Sequence, residues 1–124
     1  MSLKPRVLVL DEDVLALELY SRELKDDYQV ITSETVHEAR KYLEDLTFDV
    51  LIIEPAINDD EGWSLLREIR SALKPPIAVL CSVEDDRCAG YGQGATAYLV
   101  KPVLPATLHA VLDQIVAKKT FQSI

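Results

Sequence analysis

Four polar clusters follow directly on apolar runs: Asp11-Glu12-Asp13 after Val7 to Leu10, Glu54 after Val50 to Ile53, Cys81-Ser82 after Ile77 to Leu80, and Lys101-Pro102 after Ala97 to Val100. Carboxylates gathered with one lysine have the chemistry of a divalent-cation and phosphoryl site. Oxygen ligands hold the metal, and the ammonium neutralises an anion. Each cluster also has a plainer reading. Acidic residues at 11–13 suit a helix start, where they accept from free backbone N–H groups, and Asp13 fits that role best. Glu54 could be a strand-end charge reaching solvent, with Lys101 as its counter-ion. Taken together the four are harder to dismiss, because ligands of open α/β sheets bind beyond the carboxyl ends of the strands.

Other chemistry-bearing residues carry weaker signals. His37 and His109 lie in helical patterns with no facing cysteine or second histidine at ligand spacing, so ordinary helix-face roles are expected. Cys81 and Cys88 form neither a disulfide framework nor a CxxC pair, and both are expected as reduced thiols. Asp59 and Asp60 fall in the loop beyond Glu54 and are expected to be solvated.

Five strand-like segments must position these residues: Arg6 to Leu10, Tyr28 to Thr32, Phe48 to Ile53, Ile77 to Cys81 and Ala97 to Val100. They alternate with helical patterns, which implies βαβ units and a parallel sheet with right-handed crossovers. The first, third and fourth runs are continuously apolar, as in strands covered by helices on both faces, whereas YQVIT is more polar and suits an edge.

The first helix is expected over Val14 to Asp26, with Leu17 and Leu24 two turns apart on its buried face. Thr35 and Glu38 have capping-box spacing ahead of Val36, Ala39, Leu43 and Leu46. Trp63, Leu66, Ile69 and Leu73 mark a third helix, and Pro105 opens a fifth that carries Leu108, Val111, Leu112 and Ile115. The fourth should be short or distorted, because Gly90, Gly92 and Gly94 each cost roughly 1 kcal/mol relative to alanine inside a helix. The same glycines do not read as a phosphate cradle, since they follow a helix and precede a strand, the reverse of the nucleotide-binding order.

With 124 residues, 48% of them apolar, the chain fits one domain over 1–124. A net charge of −8 excludes a general electrostatic grip on nucleic acid or an anionic membrane and favours basic partners or divalent cations. No apolar run approaches the ~20 residues that span a bilayer. The opening MSLKPR lacks the apolar core of a signal peptide, so the cytoplasm is the expected compartment. The fifth helix is expected to be followed only by Thr120 to Ile124, with no output domain in this chain.

VLVLDED, LIIE followed by Glu61-Gly62, and YLVKP resemble, in this order and over nearly the whole chain, the receiver domain of two-component response regulators. The resemblance implies a flavodoxin-like (βα)5 fold, a three-layer sandwich whose parallel five-stranded sheet has order 2-1-3-4-5. It implies a phosphoryl group taken from a histidine kinase onto an aspartate at the end of the third strand. Asp11 and Glu12 fall on the acidic pair that holds magnesium, and Lys101 on the lysine that contacts the phosphoryl group. Pro102 falls on the proline that follows through a cis peptide, and Tyr98 on the aromatic switch residue.

The departures from the family pattern cluster at the reacting centre. Glu54 stands at the phosphoacceptor position in place of aspartate, and Cys81 replaces the hydroxyl that binds the phosphoryl group and couples it to the switch. Asn58 stands where a proline is usual, Pro55 directly follows the acceptor position, and the interval from Cys81 to Lys101 is short. The extra methylene of glutamate moves its carboxylate by up to about 1.5 Å, and a displacement of ~1 Å can cost ~10²-fold where catalysis is mostly positioning. A thiol is a weaker donor than a hydroxyl. Pro55 removes an N–H from the loop.

The expected function is therefore a pseudo-receiver. It would not be an enzyme and would require no cofactor, and it would bind a protein partner or a second copy through the face of the fourth helix, fifth strand and fifth helix. A histidine kinase remains an option as partner. Asp11, Glu12 and Glu54 could still recruit Mg²⁺, or Glu54 could reach Lys101 directly and fill the space as a partial mimic of a phosphorylated aspartate. The second outcome is favoured. The alternatives are a working phosphoreceiver that uses Glu54 or a nearby aspartate with Mg²⁺, and a flavodoxin-like binder of a small ligand.

Overall fold

The structure, a computed structural model, describes residues 3–122 and the side chains of 3–119. Met1, Ser2, Ser123 and Ile124, parts of the opening and closing segments read above, lie outside the described residues. The elements alternate as β1 (Arg6–Leu10), α1 (Val14–Leu24), β2 (Gln29–Ser33), α2 (Val36–Asp45), β3 (Val50–Ile53), α3 (Ile57–Arg70), β4 (Ile77–Ser82), α4 (Arg87–Gly92), β5 (Ala97–Val100) and α5 (Pro105–Gln122). All strand pairings are parallel, in the order β2-β1-β3-β4-β5. This is the flavodoxin-like arrangement expected. Because β1 lies between β2 and β3, the chain reverses its winding there, and the crevice beyond the ends of β1 and β3 is the ligand position of such sheets.

Two apolar layers hold the sheet. Val7, Val9, Val50, Ile52, Val79 and Cys81 pack on Leu17, Tyr20 and Leu24 of α1 and Leu108 and Leu112 of α5. Leu8, Leu10, Leu51, Ile53, Ala78 and Leu80 pack on Val36 and Ala39 of α2 and Ile57, Leu65, Leu66 and Ile69 of α3. Alternate strand residues serve opposite layers, so β1, β3 and β4 need apolar side chains at every position.

Several sequence expectations shift. β2 begins and ends one residue later than Tyr28 to Thr32, β3 starts at Val50 rather than Phe48, and β4 extends to Ser82. α1 stops at Leu24, where the Lys25 N–H closes the last turn on the Ser21 carbonyl, two residues short of Asp26. Leu73 lies past the end of α3 and is 98% exposed, so it is not part of the buried face. α5 runs through Thr120 to Gln122 instead of ending before them. Asp13 caps α1 by accepting from the Leu15 and Ala16 N–H groups, and Thr35 caps α2 by accepting from Glu38.

α4 is short, as its glycines predict, but Gly90 has a second reason. A Cβ there would lie 2.6 Å from Tyr98 Cδ2 and 3.1 Å from Leu80 Cδ1, so only glycine lets α4 approach β5 this closely.

Candidate functional site

β1 and β3 are adjacent and in register through Leu10 and Ile53, so the next residues, Asp11 and Glu54, leave the sheet side by side. The Glu54 N–H donates to the Leu10 carbonyl at 2.9 Å, and the Asp11 N–H to the Ser33 carbonyl at 3.1 Å. Lys101 arrives from the end of β5, its own N–H held by the Ser82 carbonyl at 2.8 Å, ahead of a cis bond to Pro102.

The lysine closes the site. Its Nζ donates to Asp11 Oδ2 at 2.7 Å and to Glu54 Oε1 at 3.2 Å. The three side chains are 17%, 7% and 12% exposed, which makes this a largely desolvated ion triad. Burial pulls the Lys101 ammonium down, but the Asp11 hydrogen bond and the Asp11 and Glu54 charges outweigh it and hold the group above its ordinary value. The remaining carboxylate oxygens also have protein donors. Asp11 Oδ1 accepts from the Asp13 N–H at 3.0 Å, Glu54 Oε2 from the Ala56 N–H at 3.3 Å, and Glu12 Oε1 from the Asn58 N–H at 2.7 Å. Among the described residues no buried side-chain nitrogen or oxygen is left without a partner.

Asp11, Glu12 and Glu54 are oxygen donors of the kind that Mg²⁺ takes, but their side chains are not drawn together here. Among the described residues Asp11, Glu12 and Glu54 are not gathered with their ligand atoms within 4.8 Å of one another, a convergence found only for Asp27, His109 and Asp113. Glu12 is drawn off toward α3, and the charge of the other two carboxylates is taken up by Lys101.

The backbone at the exit of β3 is fixed by the turn that follows it. Asn58, Asp59 and Asp60 have φ of 51°, 55° and 68°, a left-handed turn of three non-glycine residues inside α3. Asparagine and aspartate tolerate this conformation best, and each such residue is costly unless its surroundings fix it. Here they do: Asn58 Oδ1 accepts from the Val36 N–H at the start of α2 at 3.0 Å, while its own N–H binds Glu12. Beyond the turn, a Cβ on Gly62 would lie 2.7 Å from the Glu54 carbonyl oxygen and from Pro55, so glycine is required for α3 to pack against this exit. Asp59 and Asp60 are exposed, as expected.

Cys81 is buried, and its thiol is pushed up to about 12 by burial against the pull of Lys101, so it is neutral. It packs in the layer of α1 and α5, whereas Tyr98 is turned into the opposite layer with Leu80. The Tyr98 hydroxyl donates to the Glu84 carbonyl at 2.6 Å and accepts from the Asp86 N–H at 3.2 Å, which ties the ring to the β4–α4 loop.

Sequence reasoning missed one group. His109, expected on an ordinary helix face, stands among Glu23, Asp27 and Asp113. The i,i+4 spacing of His109 and Asp113 was the only local signal; the other two carboxylates come from the far end of the chain.

Residues 7–113 match the response regulator receiver domain family. Over 101 residues the chain is 33% identical to the virulence transcriptional regulatory protein PhoP of Salmonella choleraesuis, covering 78% of this chain and 45% of that protein. It is 28% identical over 107 residues to the protein PetR of Rhodobacter capsulatus, covering 84% and 45%. It therefore spans about half the length of these curated relatives. Among solved structures, a CheY-like response regulator receiver domain protein from Methanospirillum hungatei superimposes with a TM-score of 0.88 at 25% identity, covering 98% and 99% of the two chains. The chemotaxis response regulator CheY4 of Vibrio cholerae does so with 0.82 at 26%, covering 91% and 99%.

Proposed function

Because the chain belongs to the response regulator receiver family of two-component signalling, we propose that it is a receiver whose phosphoryl site is filled by its own side chains and which signals through protein contact. The observation that carries this reading is the 3.2 Å contact of Glu54 Oε1 with Lys101 Nζ, shared with Asp11 at 2.7 Å. In a receiver that accepts a phosphoryl group, the lysine must turn to that group and the acidic pair to a metal. Here the longer acceptor-position side chain occupies the lysine already. Glu54 acts as a fixed partial substitute for a phosphorylated aspartate, with one carboxylate in place of three phosphoryl oxygens.

Two further features support the reading. The neutral, buried Cys81 thiol offers a phosphoryl oxygen only a weak donor, and Cys81 and Tyr98 lie in opposite layers of the sheet. Output would then pass through a standing surface, the face of α4, β5 and α5, toward a protein partner or a second copy. Tyr91 and Val100 are exposed apolar residues on that face, 50% and 39% accessible.

Incubation with acetyl phosphate and Mg²⁺ followed by intact-mass measurement tests the proposal. The wild-type chain is expected to gain no phosphoryl mass, and the double variant Glu54→Asp with Cys81→Thr to gain it. A stoichiometric adduct on the wild type, at Glu54 or on Asp59 or Asp60, would overturn the reading and make the domain a working phosphoreceiver.

A further inference from the structure

At the edge of the sheet where β2 begins, α1 and α5 meet through a second cluster of ligand-bearing side chains. His109 and Asp113 are one helical turn apart on α5, and Asp27 comes from the turn that follows α1. His109 Nε2 lies 2.7 Å from Asp27 Oδ2 and 3.7 Å from Asp113 Oδ1. Four-coordinate zinc, with ligands at about 2.0–2.1 Å, holds neighbouring ligand atoms about 3.3 Å apart. The two separations from the imidazole bracket that spacing, and the ligand atoms of all three residues lie within 4.8 Å of one another, so the three already converge on one point.

The surroundings match what a histidine ligand needs. Its other nitrogen, Nδ1, is 2.8 Å from Glu23 Oε2, the carboxylate partner that fixes ring orientation and directs the Nε2 lone pair outward. Tyr28 Oη donates to Asp113 Oδ1 at 2.7 Å, and the Tyr28 ring and the imidazole form a T-shaped pair with centroids 6.1 Å apart. Three carboxylates surround one imidazole, so even a protonated ring leaves two negative charges unbalanced. A dication that displaces the Nε2 proton to solvent adds one further positive charge to the cluster.

We propose that Asp27, His109 and Asp113 form a binding site for a divalent transition-metal ion such as Zn²⁺, with Glu23 and Tyr28 as its supporting residues. An imidazole ligand beside carboxylates favours Zn²⁺, Cu²⁺ or Ni²⁺ over Mg²⁺ and Ca²⁺, which prefer all-oxygen sets. The ion would bridge the end of α1 to α5, on the face away from α4, and would leave the Lys101 triad untouched.

The test uses tag-free chain carrying Cys88→Ser, because Cys88 is an exposed thiol that could itself bind a soft metal. Calorimetric titration with Zn²⁺ and visible absorption on titration with Co²⁺ should each report one saturable ion per chain. His109→Ala and Asp113→Asn should each weaken binding by at least ~10-fold, and Glu23→Gln, which removes no ligand, by about 10-fold. Circular dichroism checks folding; should His109→Ala fail to fold, Asp27→Asn in the turn after α1 gives the same readout. Absence of saturable binding to millimolar Zn²⁺, or affinity unchanged in the folded variants, would overturn the site and leave the cluster as an imidazolium clamp.

Discussion

The molecule surrounds a single cation with carboxylates in two places, and the two differ in how firmly the cation is committed. Lys101 is enclosed with Asp11 and Glu54 at the carboxyl ends of the strands, in side chains no more than 17% exposed. His109 meets Glu23, Asp27 and Asp113 between α1 and α5, and those carboxylates are 35%, 58% and 56% exposed. The lysine is charged throughout the physiological range and held above its ordinary value, so pH does not switch its triad in that range. The imidazole is also held above its ordinary value, with the Glu23 hydrogen bond as the largest cause, but it is a group that titrates and its carboxylate partners are open to solvent. Similar carboxylate rings therefore give an enclosed cation in one region and a solvent-open one in the other.

The largest expected effect comes from breaking the closed site. Lys101→Met leaves Asp11 and Glu54 facing each other without their cation, and the loss should be about 3 kcal/mol in chemical denaturation, the lower end for a broken buried pair. A loss near zero would mean that the carboxylates find water and that the triad is not closed. Gly62→Ala attacks the same site from behind, through a Cβ 2.7 Å from the Glu54 carbonyl and Pro55. Overpacking against backbone should cost about 1–3 kcal/mol. It should also shift the Glu54 carboxylate signal in a ¹³C spectrum, whereas a change confined to α3 resonances would separate the glycine from the site.

The smallest effect should come from the open cluster and should depend on pH. The Glu23 hydrogen bond, opposed by burial and reinforced by Asp27 and Asp113, holds the His109 imidazole above its ordinary value in the folded chain. Its protonated form is therefore favoured by folding. The resulting stability is fully present below the unfolded histidine value near 6.5 and is lost as pH rises through the higher folded value. In the presence of a chelator, the stability difference between wild type and His109→Gln should shrink across that interval. The difference between wild type and Lys101→Met should stay flat over the same interval. Parallel curves for the two variants would erase the distinction between an enclosed and a solvent-open cation.

Much of the fold was legible because continuous apolar runs, the Asp13 and Thr35 caps and Pro105 act locally. The triad was legible for a related reason: Asp11, Glu54 and Lys101 each directly follow a strand, and parallel pairing brings strand ends together. What failed was long-range or geometric. Leu73 keeps the helical spacing of α3, but nothing in that spacing says that the helix stops at Arg70 and leaves the side chain in water. Gly90 reads as a weak helix residue until Tyr98 is seen where its Cβ would be. The Glu23 partner of His109 lies 86 residues away in sequence, so only the packing of α1 on α5 could reveal it. The left-handed turn at Asn58 had a compositional sign in its run of Asn and Asp, since these residues enter that region most readily.

That turn also sets how the region can open. The Asn58 side chain holds the first amide of α2 and its backbone amide holds Glu12, so one residue fastens the loop after β1, the start of α2 and the exit of β3. Unwinding it would release two protected amides, Val36 and Asn58, in a single event. In hydrogen exchange these three segments should therefore open as one cooperative unit, with the Val36 and Asn58 amides exchanging at the same rate.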